Sequence, residues 1–258
     1  MPSRHALVRR PGPRLADGLV THIERRPVDA ARALRQWEAY VQALRDHGWR
    51  TTEVAPADDC PDAVFVEDTM VVFRNVALLA RSGADARRPE LPAAREAAEA
   101  LGCSLNAVRA PGTLDGGDVL KVGDTVYVGR GCRTNLEGVR QLRAAFEPLG
   151  ATVIAVPVSR VLHLKSAVTA LPDGTVVGYP PLVEDPSVFP HFRPVLEESG
   201  AHVVLLGGDA LLMAASAPRT AQLFTRLGYR PVPVDISEFE KREGCVTCLS
   251  VRLRELRE

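Results

Sequence analysis

Residues 116–158 read GGDVLKVGDTVYVGRGCRTNLEGVRQLRAAFEPLGATVIAVPV, and their order decides the fold. Two short apolar runs divided by turn residues come first, which is the pattern of a β-hairpin. A helical stretch follows and stops at Gly150, where glycine suits a left-handed C-cap, before a β-rich run opens at Ala151. The same helix-to-strand joint recurs at Gly48, Gly102, Gly200 and Gly228; the stretch ending at Gly200 is FPHFRPVLEESG, residues 189–200. Further hairpins are expected at 63–81, 166–179 and 202–215. One run, CVTCLSVRLRE at 245–255, lacks a local partner and could pair with HALVRRP at 5–11 to close a ring. A repeat of roughly 45 to 50 residues, each unit holding strands and one helix, implies a single α/β domain over 1–258 with approximate internal symmetry. A doubly wound parallel sheet fits less well, because the hairpins are antiparallel and no G-x-G-x-x-G or Walker-type loop follows a strand.

Composition narrows the function. With 32 basic and 32 acidic residues the formal net charge is zero, which lacks the basic footprint of a nucleic-acid binder. No run approaches the ~18 apolar residues of a membrane span, and the opening residues lack a signal-peptide core, so a cytoplasmic protein with no membrane partner is expected. Five cysteines, at 60, 103, 132, 245 and 248, do not form a secreted disulfide framework, and reduced thiols are the default.

Cys245 and Cys248 form a C-x-x-C pattern. A redox pair of that type needs the N-terminus of a following helix to lower the first thiol's pKa, and the flanking β-branched text offers none. A zinc site needs two more ligands at matching spacing, which are also missing. In a regular strand the two cysteines, three apart, would face opposite sides and have different tasks. A thiol nucleophile needs an acid or base partner, and among the histidines His163 lies between apolar residues just ahead of a hairpin. Carboxylates recur at matching points of two units: Asp62, Glu67 and Asp68 in PDAVFVEDTM, and Asp115 and Asp118 in LDGGDV. Acidic groups inside apolar runs require a cation or hydrogen bonds, and a planar multi-donor cation such as guanidinium suits several carboxylates converging on an axis.

The motifs FVED, APGTLDGGDV, GRGCRTN, VLHLKS and GCVTCLS occur in an order and spacing that resemble the dimethylarginine dimethylaminohydrolases of the guanidino-group-modifying superfamily. That resemblance implies a five-fold pseudosymmetric α/β propeller built from strand-hairpin-helix units. It also implies a cysteine hydrolase that converts N-omega-methylated arginine to citrulline and a methylamine, without metal or organic cofactor. Cys248 matches the nucleophile and His163 the general acid/base. Asp115 stands where the family has a carboxylate, often glutamate, near the histidine. Glu67 and Asp68 match guanidinium contacts, and Asp62 belongs to the substrate-binding set. Arg87 and Arg133 match the arginines that hold the amino-acid carboxylate, while Leu19 and Arg242 match positions that touch substrate through backbone or lid contacts. An arginine deiminase releasing ammonia, and a noncatalytic propeller binding arginine-like ligands, are the alternatives. The sequence does not fix the oligomeric state; a homodimer is one reading.

Overall fold

The structure, a computed structural model, describes residues 3–256, so Met1, Pro2, Arg257 and Glu258 lie outside it. Among the described residues, the strands form five three-stranded sheets. In the sheet that the opening motif foretold, β6 (Val119–Val122) pairs antiparallel with β7 (Thr125–Arg130), and β7 pairs parallel with β8 (Thr152–Pro157). Three other sheets repeat this order. They are β3 (Met70–Phe73), β4 (Val76–Leu79), β5 (Ser104–Ala107); β9 (Val168–Ala170), β10 (Val176–Gly178), β11 (Phe192–Pro194); and β12 (Val203–Gly207), β13 (Ala210–Ala214), β14 (Arg230–Val234). The remaining sheet joins distant parts of the chain. β1 (Ser3–Val8) lies between β15 (Val251–Leu256), antiparallel, and β2 (Arg50–Glu53), parallel.

Side-chain alternation turns these sheets into a ring. Successive residues of a strand face opposite ways, and here both faces are covered. In β13, Leu211 and Met213 join one apolar cluster while Ala210, Leu212 and Ala214 join the next. In β7, Tyr127 faces one cluster and Val126 and Val128 another. Every cluster lies between two neighbouring sheets, and one, with Ala6 and Val8 of β1 against Val204 and Leu206 of β12, ties the fifth sheet back to the first. The five-fold α/β propeller is therefore the fold. Burial on both faces explains why central strands such as β4 and β13 are short, nearly continuous apolar runs.

Helices α1 (Ala30–Asp46), α2 (Leu91–Ala100), α3 (Leu136–Phe146) and α4 (Pro218–Arg226) supply the crossovers to the parallel strands. α1 buries Ala33, Gln36, Trp37, Tyr40, Val41 and Leu44, the spacing of a single helical face. Asp29 caps its N-terminus by accepting the Arg32 N–H at 2.9 Å. The glycines that follow these four helices all have positive φ, from 78° at Gly102 to 91° at Gly150, as the capping argument requires. A short α5 (Ser237–Glu240) follows β14.

The helix expected at 189–200 does not form. Pro194 cannot donate to a helical turn and drives its predecessor toward extended backbone. Residues 192–194 instead make β11, pairing Phe192 with Val176. Gly200 is not a left-handed cap, and a Cβ there would lie 2.4 Å from Thr220 Oγ1. The residue is small because α4 packs on it.

Ring closure also rests on one buried polar contact, the 2.7 Å hydrogen bond between the Tyr40 hydroxyl and Ser250 Oγ. Burial pushes the Tyr40 phenol up to about 12. Tyr40→Phe is expected to lower unfolding stability by ~1 kcal/mol, read as a reduced urea midpoint at unchanged slope.

Candidate active site

A tight turn precedes the first strand of each sheet, and each turn is closed by a backbone N–H to the carbonyl three residues back. The pairs are Asp68 to Phe65, Asp118 to Asp115, Ser166 to His163, Gly200 to Glu197 and Cys248 to Cys245, at 2.9–3.2 Å. Four of these turns carry the residues singled out from the sequence: Glu67 and Asp68, Asp115 and Asp118, His163, and Cys248. Repeating one turn around a ring brings chemically unlike residues, distant in sequence, to the same place.

The expected alternation of Cys245 and Cys248 is corrected here. Residues 246–249 form a turn and the strand starts only at Val251. The two sulfurs therefore lie together, 3.3 Å apart, instead of on opposite faces. Cys248 is buried, and its carbonyl accepts the Glu67 N–H at 3.2 Å.

Asp68 is the centre of the cluster. Its Oδ2 accepts Arg87 Nη1 at 2.5 Å, its Oδ1 accepts the Gly117 N–H at 2.8 Å, and the same Oδ1 lies 3.8 Å from His163 Nδ1. On the other side of the ring, His163 Nε2 donates to Asp115 Oδ2 at 3.1 Å. Asp115, shorter than the glutamate common in the family, thus still reaches the histidine. Asp115 also accepts Arg133 Nη1 at 3.3 Å and the Gly83 N–H at 3.1 Å. Two glycines make this packing possible. A Cβ on Gly116 would sit 2.0 Å from the Glu67 carbonyl oxygen, and one on Gly117 would sit 2.6 Å from His163 Nδ1.

Electrostatics follow from that geometry. Burial opposes a charged His163, but the negative charge of Asp68, the hydrogen bond to Asp115 and the charges of Asp118 and Asp115 outweigh it, raising the imidazole to about 9. Burial likewise opposes ionised Asp68, and His163 and Arg87 overcome it to hold the carboxyl well below the usual range. Asp118, which the sequence offered without a role, accepts Thr134 Oγ1 at 2.6 Å and the Leu164 N–H at 2.9 Å, fixing the backbone just after His163. Burial raises its carboxyl to about 6. Cys248 is held well above an ordinary thiol by its hydrogen bond with Cys245, by burial, and by the charges of Cys245, Glu67 and Asp68. Asp68, Asp115 and His163 offer ligand atoms within 4.8 Å of one another, a spacing a metal ion could bridge. A protonated imidazole is a poor ligand, however, and the carboxylates already hold hydrogen-bond donors.

Other expected contacts have different partners. Glu67 pairs with Lys165 Nζ and Arg252 Nη2, each at 2.6 Å, beside a small cavity that Lys121 and Arg254 also line. Arg87 gives hydrogen bonds to Asp68, to both oxygens of Glu90, and to the carbonyls of Asp62 and Phe65, so it braces the site. Arg133 gives one donor to Asp115. Asp62 accepts the Leu19 N–H at 3.0 Å. Arg242 donates to the carbonyls of Leu15, Ala16 and Arg26, and Glu243 accepts the Thr21 and His22 N–H groups. Together they strap down the segment that carries half-exposed Leu19. Sequence reasoning missed Glu90, Lys165 and Arg252; the first two were visible as charges three residues after Arg87 and two after His163.

The turns of this five-sheet ring gather a cysteine, a histidine and carboxylates at one place. No family model matches the chain. It is 73% identical to the N(G),N(G)-dimethylarginine dimethylaminohydrolase of Streptomyces coelicolor across 99% of both chains, and 36% identical to that of Pseudomonas aeruginosa over 96% of this chain and 99% of the relative. Crystal structures of a cysteine-to-serine mutant of the Pseudomonas aeruginosa enzyme with citrulline, and of a histidine-to-glycine dimethylarginine dimethylaminohydrolase with an S-methyl-L-thiocitrulline adduct, superpose with TM-scores of 0.90 and 0.91. Both are 34% identical to this chain, covering 98% of it and all of the solved chain. The chain is a member of the dimethylarginine dimethylaminohydrolase family.

In an imidazole NMR titration, His163 should keep its proton through neutral pH and lose it near 9, with Asp115→Asn bringing the midpoint down. Its folded pKa of about 9 lies above the ordinary 6.5. The charge therefore contributes stability in full below about 6.5, and that contribution disappears as pH rises through about 9. Urea midpoints measured across this window should decline less steeply in the Asp115→Asn protein.

Proposed function

We propose that the protein hydrolyses N-omega-methylated arginine to citrulline and a methylamine, with Cys248 as nucleophile and His163 as general acid and base, and with the five units acting as one catalytic domain. The observation that carries this reading is the 73% identity, over 99% of both chains, to a dimethylarginine dimethylaminohydrolase. The citrulline and S-methyl-L-thiocitrulline named for the solved relatives support an arginine-derived small-molecule substrate.

The charge pattern supports the chemistry. Cys248 rests as a neutral thiol because its hydrogen bond with Cys245 and burial hold the proton, with the negative charges of Cys245, Glu67 and Asp68 adding to them. A bound guanidinium opposes that negative field, so substrate binding itself favours release of the thiol proton to solvent. The thiolate then attacks the guanidinium carbon and forms a tetrahedral adduct. Amines leave poorly unless protonated, and His163, protonated at neutral pH, gives its proton to the departing methylamine nitrogen. Neutral His163 next takes a proton from water. The hydroxide adds to the thiouronium carbon, the C–S bond breaks as the adduct's hydroxyl proton passes to solvent, and citrulline leaves with the Cys248 thiolate restored. Asp68 and Asp115 hold the imidazole through both transfers, and Asp62 and Asp68 offer carboxylate to the cation. Arg133, with one donor committed to Asp115, is the arginine suited to the substrate carboxylate, and Arg87 acts by fixing Asp68. Glu67, neutralised by Lys165 and Arg252, positions Cys248 through its own N–H.

Among the described residues no helix is long and apolar enough to cross a membrane. Citrulline release from asymmetric dimethylarginine, monomethylarginine and arginine tests the activity. Turnover of a methylated form and its abolition in Cys248→Ser are expected; release from arginine alone would indicate a deiminase. Gly117→Ala, whose Cβ would displace the imidazole, should lower kcat on the order of 100-fold in a folded protein. Arg133→Met should act mainly on KM.

A further inference from the structure

We propose that Cys245 makes the nucleophile a reversible oxidation site: a hydroperoxide converts Cys245 and Cys248 into an intramolecular disulfide that halts hydrolysis until a thiol reductant restores it. The proposal rests on the reading of Cys248 as nucleophile.

Backbone geometry already favours the bond. The Cys248 N–H donates to the Cys245 carbonyl at 3.1 Å, the hydrogen bond of a four-residue turn. Such a turn keeps its end Cα atoms within ~7 Å, and a disulfide spans ~4.4–6.8 Å. The sulfurs stand 3.3 Å apart, and the Cys245 N–H points at Cys248 Sγ from 3.4 Å. Rotation of two side chains closes the bond without moving the turn.

The surroundings separate the two thiols. Cys248 is held well above an ordinary thiol first by its hydrogen bond with Cys245 and by burial, then by the charges of Cys245, Glu67 and Asp68. Cys245 is held well below an ordinary thiol by its hydrogen bond to Cys248, which outweighs burial, and then by the charge of His202 and by Thr247, whose Oγ1 lies 3.2 Å away. Cys245 also lines a cavity of about 640 Å³ with His202, Ser166 and Glu243, which gives a small oxidant a route to it. Cys60 and Cys103 differ, since burial raises both thiols and leaves them unreactive.

The chemistry balances. The Cys245 thiolate attacks the peroxide O–O bond, an S–O bond forms, and hydroxide leaves, giving a sulfenic acid. Cys248 sulfur then attacks Cys245 sulfur, the S–S bond forms and the S–O bond breaks, and the departing hydroxide combines with the Cys248 thiol proton as water. Two sulfurs supply the two electrons that the peroxide accepts. A nucleophile held in a disulfide is spared conversion to sulfinic acid, which cells reverse only in special cases.

The test uses the full chain treated with hydrogen peroxide in the absence of thiols, followed by intact mass and peptide mapping. Wild type should lose two hydrogens, mapped to the tryptic segment 243–252. Citrulline release should fall ~10-fold or more and return with dithiothreitol. Cys245→Ala and Cys245→Ser should be active before treatment, then gain two oxygens on Cys248 as a sulfinic acid and lose activity that dithiothreitol does not restore. Two outcomes would overturn the proposal: oxygen added to Cys248 in wild type with no disulfide, or equal and irreversible inactivation in wild type and both variants. Mass reads the bond without turnover, so a disulfide that forms in a protein releasing no citrulline would sink the hydrolase reading separately.

Discussion

The Asp68 carboxylate is the contact on which the rest depends. A buried negative charge is tolerated only with positive charge and hydrogen bonds around it, and Asp68 draws these from three sheets at once. Arg87 comes from the segment after β4, Gly117 from the turn before β6, and His163 from the turn before β9. Each partner has its own support: Glu90 behind Arg87, Asp115 behind His163, and Asp118 behind the Leu164 backbone. The result is an imidazolium with a carboxylate on either side. Both glycines of the LDGGD stretch serve this crowding, one against the Glu67 carbonyl and the other beneath the imidazole.

The ring makes such a cluster attainable. The central strand of each sheet contributes apolar side chains to two adjacent cores, so hydrophobic burial supplies the scaffold and leaves the turns free to carry polar groups. At the fifth of those turns, 197–200, closeness to Thr220 decides the residue choice and no candidate catalytic group appears. Fold and chemistry are thus divided between strand and turn. The same division lets Glu67 and Asp68, neighbours in one turn, face different surroundings, one held by Lys165 and Arg252 and the other by Arg87.

Much of this was legible in the sequence. Alternation and turn residues gave the hairpins, glycine caps gave four helix ends, and the unpaired last run gave ring closure. The ordered motifs gave the family, and they named most of the residues that the turns bring together. Other features depend on contacts that sequence does not display. The stretch at 189–200 has helical composition, but its proline and the edge of β10 select a strand. The cysteine spacing fits a strand until the turn geometry common to the ring is imposed. Arg87 reads as a ligand-binding arginine, and only its five protein contacts reveal a brace.

The sheet formed by β15, β1 and β2 has a consequence for how the enzyme gains its activity. Four of the sheets draw on strands close in sequence, whereas this one pairs Leu7 with Val251, and the Tyr40 to Ser250 contact beside it spans 210 residues. Loop closure of that length is entropically late, because it gains little until neighbouring surfaces exist to receive the strand. Cys248 sits in the turn leading into β15. The proposed nucleophile therefore takes its position with the most non-local pairing of the chain, and catalytic competence would report completion of the ring, not the presence of its parts.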